Sequence, residues 1–411
     1  MSTINYADAL RLALKTPIIE FKGMGYEQYS QPAQRANAFL FLAVDEHEYG
    51  PREPYHTRII QHVHSLITGG HEPCIDIVQI WSYPAVACAI TICKNTPTIW
   101  AEFTTDQINR LDFIMTAFAL MNNLASNDAN DYMTGLARRG DFGKRRPPNF
   151  RLPVLVPVIA AAHYFGGSDE LDKILTGFDY DTFIAKAQTF GYKNLLEVWQ
   201  TPSFEHNGIT VPGARELLMD GGTTYIISKS PMDEGNVYRG GSGKGARIPY
   251  LYHNFRAGSV ELINDILKHD YSGGPVTSVA GDNNDGTYLC YILDGSESPM
   301  QGREGMMFEY SAKDGEGVRS DGFYCQMDFN MEIALLIMAK LLGVWSEEAS
   351  PEVYVLVCVG HTDHIYKLER GYMSHAMGMQ RVERENNLRG YYFTKAIWER
   401  FFPNTEKEET E

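Results

Sequence analysis

The 411-residue sequence has no run approaching the ~20 apolar residues that a membrane span requires. Its longest apolar stretches, Pro84–Ile92 and Pro153–Phe165, read instead as buried helices. The first residues, MSTINYADALRLALKTPIIEF, hold no apolar stretch preceded by basic residues, so no secretory leader is expected. Cysteine is sparse. Cys74, Cys88, Cys93, Cys290, Cys325 and Cys358 form no C-x-x-C pair, and several sit in apolar runs where a thiol behaves as a small hydrophobe. Reduced thiols and a cytoplasmic location are the simpler expectation. Basic charge is also scarce, with 36 Lys and Arg against 52 Asp and Glu, a net charge of -16. That sign argues against a general nucleic-acid binder and against attachment to anionic lipid. It leaves room for an anionic small ligand at a locally basic patch. There is no G-x-S-x-G, no H-E-x-x-H and no dinucleotide fingerprint after a strand, and no cofactor is implied.

What is present is apolar material for a core, 44% of residues, arranged mostly with helical periodicity. Thr104-Thr105-Asp106-Gln107 has capping-box spacing. It opens a run with Ile108, Leu111, Met115, Phe118 and Met121 on one face. Residues 31–46, 54–68, 179–190, 258–269 and 382–402 also read as amphipathic helices. Pro84–Cys93, Val154–Tyr164 and Ile333–Leu342 are apolar nearly all round and therefore buried on every side. Alternation of wholly and half-buried helices predicts two concentric layers, as in a ring of helical hairpins. Gly69-Gly70, Gly166-Gly167, Gly221-Gly222 and Gly273-Gly274 mark stops between them. Thr223–Lys229, Tyr288–Leu293, Met306–Tyr310 and Val353–Val359 are rich in β-branched and aromatic residues and read as short strands. No linker is evident. The expectation is one mostly α domain over 1–403, with strand insertions near 223–250 and 287–325. Residues 404–411 read as a flexible acidic tail.

Several clusters can carry chemistry. Arg138, Arg139, Lys144, Arg145, Arg146 and Arg151 crowd one short segment, a local inversion of the acidic background. Arginine forks suit carboxylate, sulfate or phosphate, while a solvated loop paired with acidic neighbours is the plain alternative. A glycine-rich loop carries Arg239, Lys244 and Arg247. It lacks the Ser or Thr of a phosphate-binding loop, and reads as a flap or a structural loop. Tyr252 and His253 follow directly and can supply a base and an acid, or pack in a core and cap a helix. Asn123, beside Asn122, can cap a helix end or neutralise a substrate carboxylate. Trp81, Tyr83, Trp100 and Trp199 can stack on sugar rings or fill the core. Asp45-Glu46-His47-Glu48 and His361-Thr362-Asp363-His364 match no metal-site spacing, and no metal is expected. The first falls at a helix end, where charges are normally solvated.

Two C-terminal patterns resemble a known family. Gln301-Gly-Arg303 and Asp321-Gly322-Phe-Tyr324-Cys-Gln326 are similar to the Gly-Arg and Asp-Gly-aromatic-x-Gln elements of chondroitin AC and hyaluronate lyases. The stretch from Gly371 through Arg381, Glu383, Glu385 and Asn386 to Gly390-Tyr-Tyr resembles their Met-strand, Arg, Glu, Asn and Gly-aromatic-aromatic segment. The resemblance implies an (α/α) toroid, shared with alginate lyases and the helical domain of heparinase II/III-like lyases. Carried over in chain order, it implies Asn123 for the uronate carboxylate and His253 with Tyr252 for proton transfer. It also implies Arg303 or Arg381 with Glu383 or Glu385. Three departures stand out. Leu124 follows Asn123 where the family has Trp, Met327 stands where it has His, and the β-sandwich that normally follows is absent from this sequence.

These readings combine into β-elimination on an acidic oligosaccharide or polysaccharide containing uronic acid. Arg138, Arg139, Arg145, Arg146, Lys244, Arg247 and Trp81 would bind the substrate. A glycoside hydrolase using carboxylates among Asp220, Glu309, Asp321 and Asp328 is the second reading. A non-catalytic glycan-binding or scaffold protein is the third. The partners expected are the glycan and, compatibly, a second copy in a homo-oligomer, with no nucleic acid and no membrane.

Overall fold

In the computed structural model the described residues are 5–20, 30–74, 80–125, 148–206, 209–211, 213–219, 225–227, 237–239, 260, 263, 287–291, 307–311, 318–319, 322–353 and 393–402. The fold among them is mostly helical. In chain order the helices are α1 (Tyr6–Lys15), α2 (Ser30–Tyr49), α3 (Tyr55–Ile67), α4 (Tyr83–Lys94), α5 (Pro97–Trp100), α6 (Thr105–Ala125) and α7 (Pro148–Phe165). They continue as α8 (Ser168–Thr176), α9 (Tyr180–Phe190), α10 (Lys193–Trp199), α11 (Ala214–Met219), α12 (Gly322–Leu341), α13 (Pro351–Val353) and α14 (393–401). Antiparallel strands pair as β1 (Phe204–His206) with β2 (Ile209–Val211), and as β3 (Tyr225–Ile227) with β4 (Val237–Arg239). A three-stranded sheet has β6 (Met307–Ser311) between β5 (Thr287–Tyr291) and β7 (Val318–Arg319). No helix among the described residues is long and apolar enough to cross a membrane.

The wholly apolar helices form the centre. Every residue of α4 from Tyr83 to Cys93 is buried. It packs against α2, α7 and α12, and α12 also packs against α7. Periodicity is weak along these helices because each is enclosed on all sides. Helices α3 and α9 show the expected apolar stripe and polar outer face, whereas α6 is exposed only in its first turns and is enclosed from Leu111 to Met121, with Asp112 and Thr116 part-buried.

Side-chain contacts fix the direction of each core helix. Between α4 and α7, Thr91 Oγ1 donates to Ala160 O at 3.0 Å, and Lys94 Nζ lies 3.9 Å from the Tyr164 ring centroid. Both chains therefore advance together. Between α12 and α14, Thr394 Oγ1 donates to Asn330 Oδ1 at 2.5 Å, and Lys340 Nζ donates to Phe401 O at 2.6 Å. Between α2 and α14, the Phe41 and Phe393 rings are 5.8 Å apart, and the Arg400 guanidinium lies 5.5 Å from the Tyr49 ring centroid. The C-terminal end of α2 meets that of α4, with His47 Nδ1 2.8 Å from Thr96 Oγ1. The 3-10 turn Ile80–Ser82, just before α4, also packs on α2. Thus α2, α4, α7, α12 and α14 run parallel. The outer helices return antiparallel. Phe39 stacks on His62 at 5.2 Å while Glu46 meets His56 at 2.9 Å, which reverses α3 against α2. Phe118 lies 5.2 Å from Tyr83 while Asp112 accepts from Tyr164 at 2.7 Å, which reverses α6 against α4 and α7.

The structure corrects several expectations. Helix α12 begins at Gly322, eleven residues before the apolar run at Ile333. Gly322, Phe323, Tyr324 and Gln326 therefore belong to a helix, and its first turns were masked by mixed polarity. Val353 ends the helical turn α13 rather than starting a strand, and residues 354–359 lie outside the described residues. Of 258–269 only 260 and 263 are described, and of 382–402 the helix over 393–401. Short helices α1, α8, α10 and α11 have no counterpart in the periodicity reading.

Candidate functional site

Parallel core helices place their N-termini at one pole of the molecule. Each helix carries a partial positive charge at that end, where its first N–H groups lack partners. Helices α3 and α6 run the other way and offset part of it with their C-termini.

The local sequence builds this end with buried polar side chains. Tyr83 opens α4, and the His71 imidazole stacks on its ring at 5.1 Å. His71 Nε2 lies 2.9 Å from Ser82 Oγ, and both residues are buried. Glu72 Oε2 accepts from the Leu195 N–H at 2.8 Å, so a carboxylate caps the first turn of α10. The Tyr83 hydroxyl reaches Glu72 O at 3.2 Å. This cluster ties the loop after α3 to the entry of α4. The sequence reading missed it because His71 and Glu72 follow Gly69-Gly70 in what looks like an ordinary turn. Buried Asn330 and Thr394 join α12 to α14 at the same pole and gave no sequence signal either.

Most of the residues expected from the sequence to form a site lie outside the described residues. Asn123 lies in the last turn of α6, whose C-terminal end points to the pole; its side chain lies outside the described residues. Arg138, Arg139, Arg145 and Arg146 lie outside the described residues, in the chain that joins the end of α6 to the start of α7. Trp81 sits in the 3-10 turn before α4 and is only 7% exposed, so its indole belongs to the core rather than to an open stacking platform. Tyr83 and Trp199 are fully buried as well. Arg303 precedes β6, and Arg381 and Glu383 precede α14, and all three lie outside the described residues. So do Lys244, Arg247, Tyr252 and His253, and Asp220 and Asp321 among the hydrolase candidates. Glu309 lies in β6 and Asp328 in α12. The sheet of β5 and β6 packs on α7 and α12.

The opposite pole is a different construction. Asp45 and Glu46 end α2 and are 1% and 2% exposed, which overturns the expectation of solvated charges at that helix end. Asp45 pairs with Arg52 and accepts from the Tyr6 hydroxyl at 2.9 Å. Glu46 receives Thr98 Oγ1 at 2.8 Å and meets His56 Nδ1 at 2.9 Å. Arg52 before α3 thus pairs with Asp45, while His56 in α3 and Thr98 in α5 give Glu46 its polar partners, at a helix end whose dipole alone would disfavour two carboxylates. Burial, with Asp45 beside it, pushes the Tyr6 phenol far above its ordinary value. Among the described residues no group of three or more His, Cys, Asp or Glu is placed to hold a metal ion.

No family model and no solved structure matches this chain. It is similar to a curated gellan lyase from Bacillus sp, 27% identical over 395 residues. The similarity covers 92% of this chain and 14% of that protein, so the chain spans about one seventh of the relative's length.

Proposed function

We propose that this chain is a polysaccharide lyase that cleaves a uronic-acid-containing polysaccharide by β-elimination. The observation that carries the reading is the similarity to a gellan lyase along 92% of the chain. Gellan, named by that relative, is the first substrate to try. The parallel core helices with antiparallel returns support the reading of the helical body as an (α/α) toroid. On that reading the substrate lies at the pole where the core helices begin.

The chemistry follows from the acidity of a carbon next to a carboxylate. Arg303 or Arg381, held by Glu383, and Asn123 bind the uronate carboxylate and draw charge into it, so that the C5 proton becomes removable. Tyr252 takes that proton as a phenolate, the C4–O bond breaks, and a C4–C5 double bond forms. The phenol then returns the proton to the leaving oxygen, with His253 assisting. An ordinary phenol has a pKa of about 10, so the phenolate needs neighbouring positive charge. Arg138, Arg139, Arg145, Arg146, Lys244 and Arg247 supply it on this reading, and also hold the acidic chain. Trp81, being buried, shapes the entry to α4 rather than stacking on a sugar.

Incubation with gellan and a panel of other uronate polysaccharides tests the proposal. The expected result is growing ultraviolet absorbance from the conjugated double bond, lost at least a thousand-fold in Tyr252→Phe with an unchanged circular dichroism spectrum. New reducing ends without that absorbance would make the chain a hydrolase. No cleavage of any acidic polysaccharide, or full activity in the Phe variant, would overturn the lyase reading or its base.

A further inference from the structure

Helix α1 is followed by five residues, 16–20, that form no regular structure yet are bound at nearly every carbonyl. Arg58 of α3 donates to Thr16 O. Arg35 of α2 donates to Ile18 O at 3.5 Å and to Glu20 O. Ser65 of α3 donates to Ile19 O. Gly70 closes over the same spot, where an added Cβ would lie 3.1 Å from Ile19 O and 2.9 Å from Ser65 O. One contact differs in kind. The Ile19 N–H donates to His62 Nδ1 at 3.3 Å, so this nitrogen must be unprotonated. The ring proton then sits on Nε2, which is buried and has no hydrogen-bond partner among the described residues.

We propose that residues 16–20 are an acid-released strap whose closure requires neutral His62, and whose continuation enters α2 at the pole of the core-helix N-termini. A proton on Nδ1 would point at the Ile19 N–H, donor against donor. It would also create a third cation beside Arg35 and Arg58, in a site where Ile19 and His62 are fully buried. The charged groups facing the imidazole are Arg58 on its own helix and Arg35 on α2. Glu20, on the strap itself, is exposed and acts on Arg35.

The sign is set by linkage. In the closed strap burial, then Arg58 and Arg35, hold the His62 pKa down at about 3. In an open strap the exposed ring returns to about 6.5. Closure is therefore complete above that upper value and weakens about tenfold per pH unit as pH falls toward the lower one. This inference stands apart from the lyase reading and survives or fails independently of it.

Hydrogen exchange of the full chain, resolved on a peptide spanning 16–20 and corrected for the intrinsic rate, tests it. Between pH 7.5 and 5.0 the opening constant of that peptide should rise about thirty-fold. Peptides from α4 should show no such rise. In His62→Gln, neutral at every pH, and in His62→Phe, which keeps the stack on Phe39, the rise should vanish whatever the basal opening. Equal protection at both pH values in the wild type overturns the proposal. So does an undiminished rise in both variants, or a parallel rise in α4, which would mean that the whole molecule opens.

Discussion

Thr394 and Asn330 show how much a single buried contact can carry. They are 64 positions apart in the sequence, 1% and 7% exposed, and joined by a 2.5 Å hydrogen bond. Thr394→Val keeps the shape but leaves the Asn330 carbonyl buried without this donor. Stability should fall by about 1–3 kcal/mol in urea denaturation, while Thr394→Ser should restore most of the loss. Asp45 and Glu46 teach the converse lesson about reading charges. Their position at the end of α2 looked solvated in one dimension, and only the approach of Arg52, His56 and Thr98 from later segments made burial affordable. Trp81 is similar, since nothing in its neighbours distinguishes a sugar platform from a core indole.

Elements were legible where local chemistry suffices. The capping box at Thr104 is present in the fold, with the Thr104 N–H donating to Gln107 Oε1 at 2.8 Å and the Gln107 N–H to Thr104 Oγ1 at 3.4 Å. Thr104→Ala should therefore destabilise the protein by about 1 kcal/mol, read as a lower urea midpoint with an unchanged slope. The all-apolar segments became α4 and the C-terminal parts of α7 and α12 because a helix enclosed on every side needs no polar face. Short helices escaped notice for a matching reason. Helix α10 has seven residues, too few to persist alone, and it is held by the Glu72 carboxylate at its start and by buried Leu195 and Trp199. Those supports come from elsewhere in the chain. The start of α12 at Gly322 was hidden by a mixed polar and apolar pattern that shows no helical stripe.

For the whole molecule, burial of phenols sets its response to alkali. Desolvation raises the pKa of Tyr6, Tyr164 and Tyr192, with Asp45 and Asp112 adding to the first two. In the unfolded chain these phenols ionise near pH 10, so above that pH the unfolded state holds fewer protons than the folded one. Stability should accordingly be full below about pH 10 and fall as pH rises beyond it. A spectrophotometric titration of the 24 tyrosines should show a fraction that ionises only as the circular dichroism signal collapses. Simultaneous, reversible ionisation of all of them in the folded protein would contradict this burial.

The candidate site divides along the same line. Its residue types were legible, because a cluster of arginines in a chain of net charge -16, or a Tyr beside a His, is a local fact. The direction in which each described core helix runs was not legible, since it depends on contacts between distant segments. By itself the sequence determined that the described residues are mostly helical and which helices are buried on every side, because periodicity and capping act within a few residues. Only the tertiary structure decided that α2, α4, α7, α12 and α14 run parallel, that Asp45 and Glu46 are buried, and that His62 must stay neutral. Those outcomes rest on contacts between separate elements, some of them hundreds of positions apart, where the free energy of burial and hydrogen bonding is settled by packing.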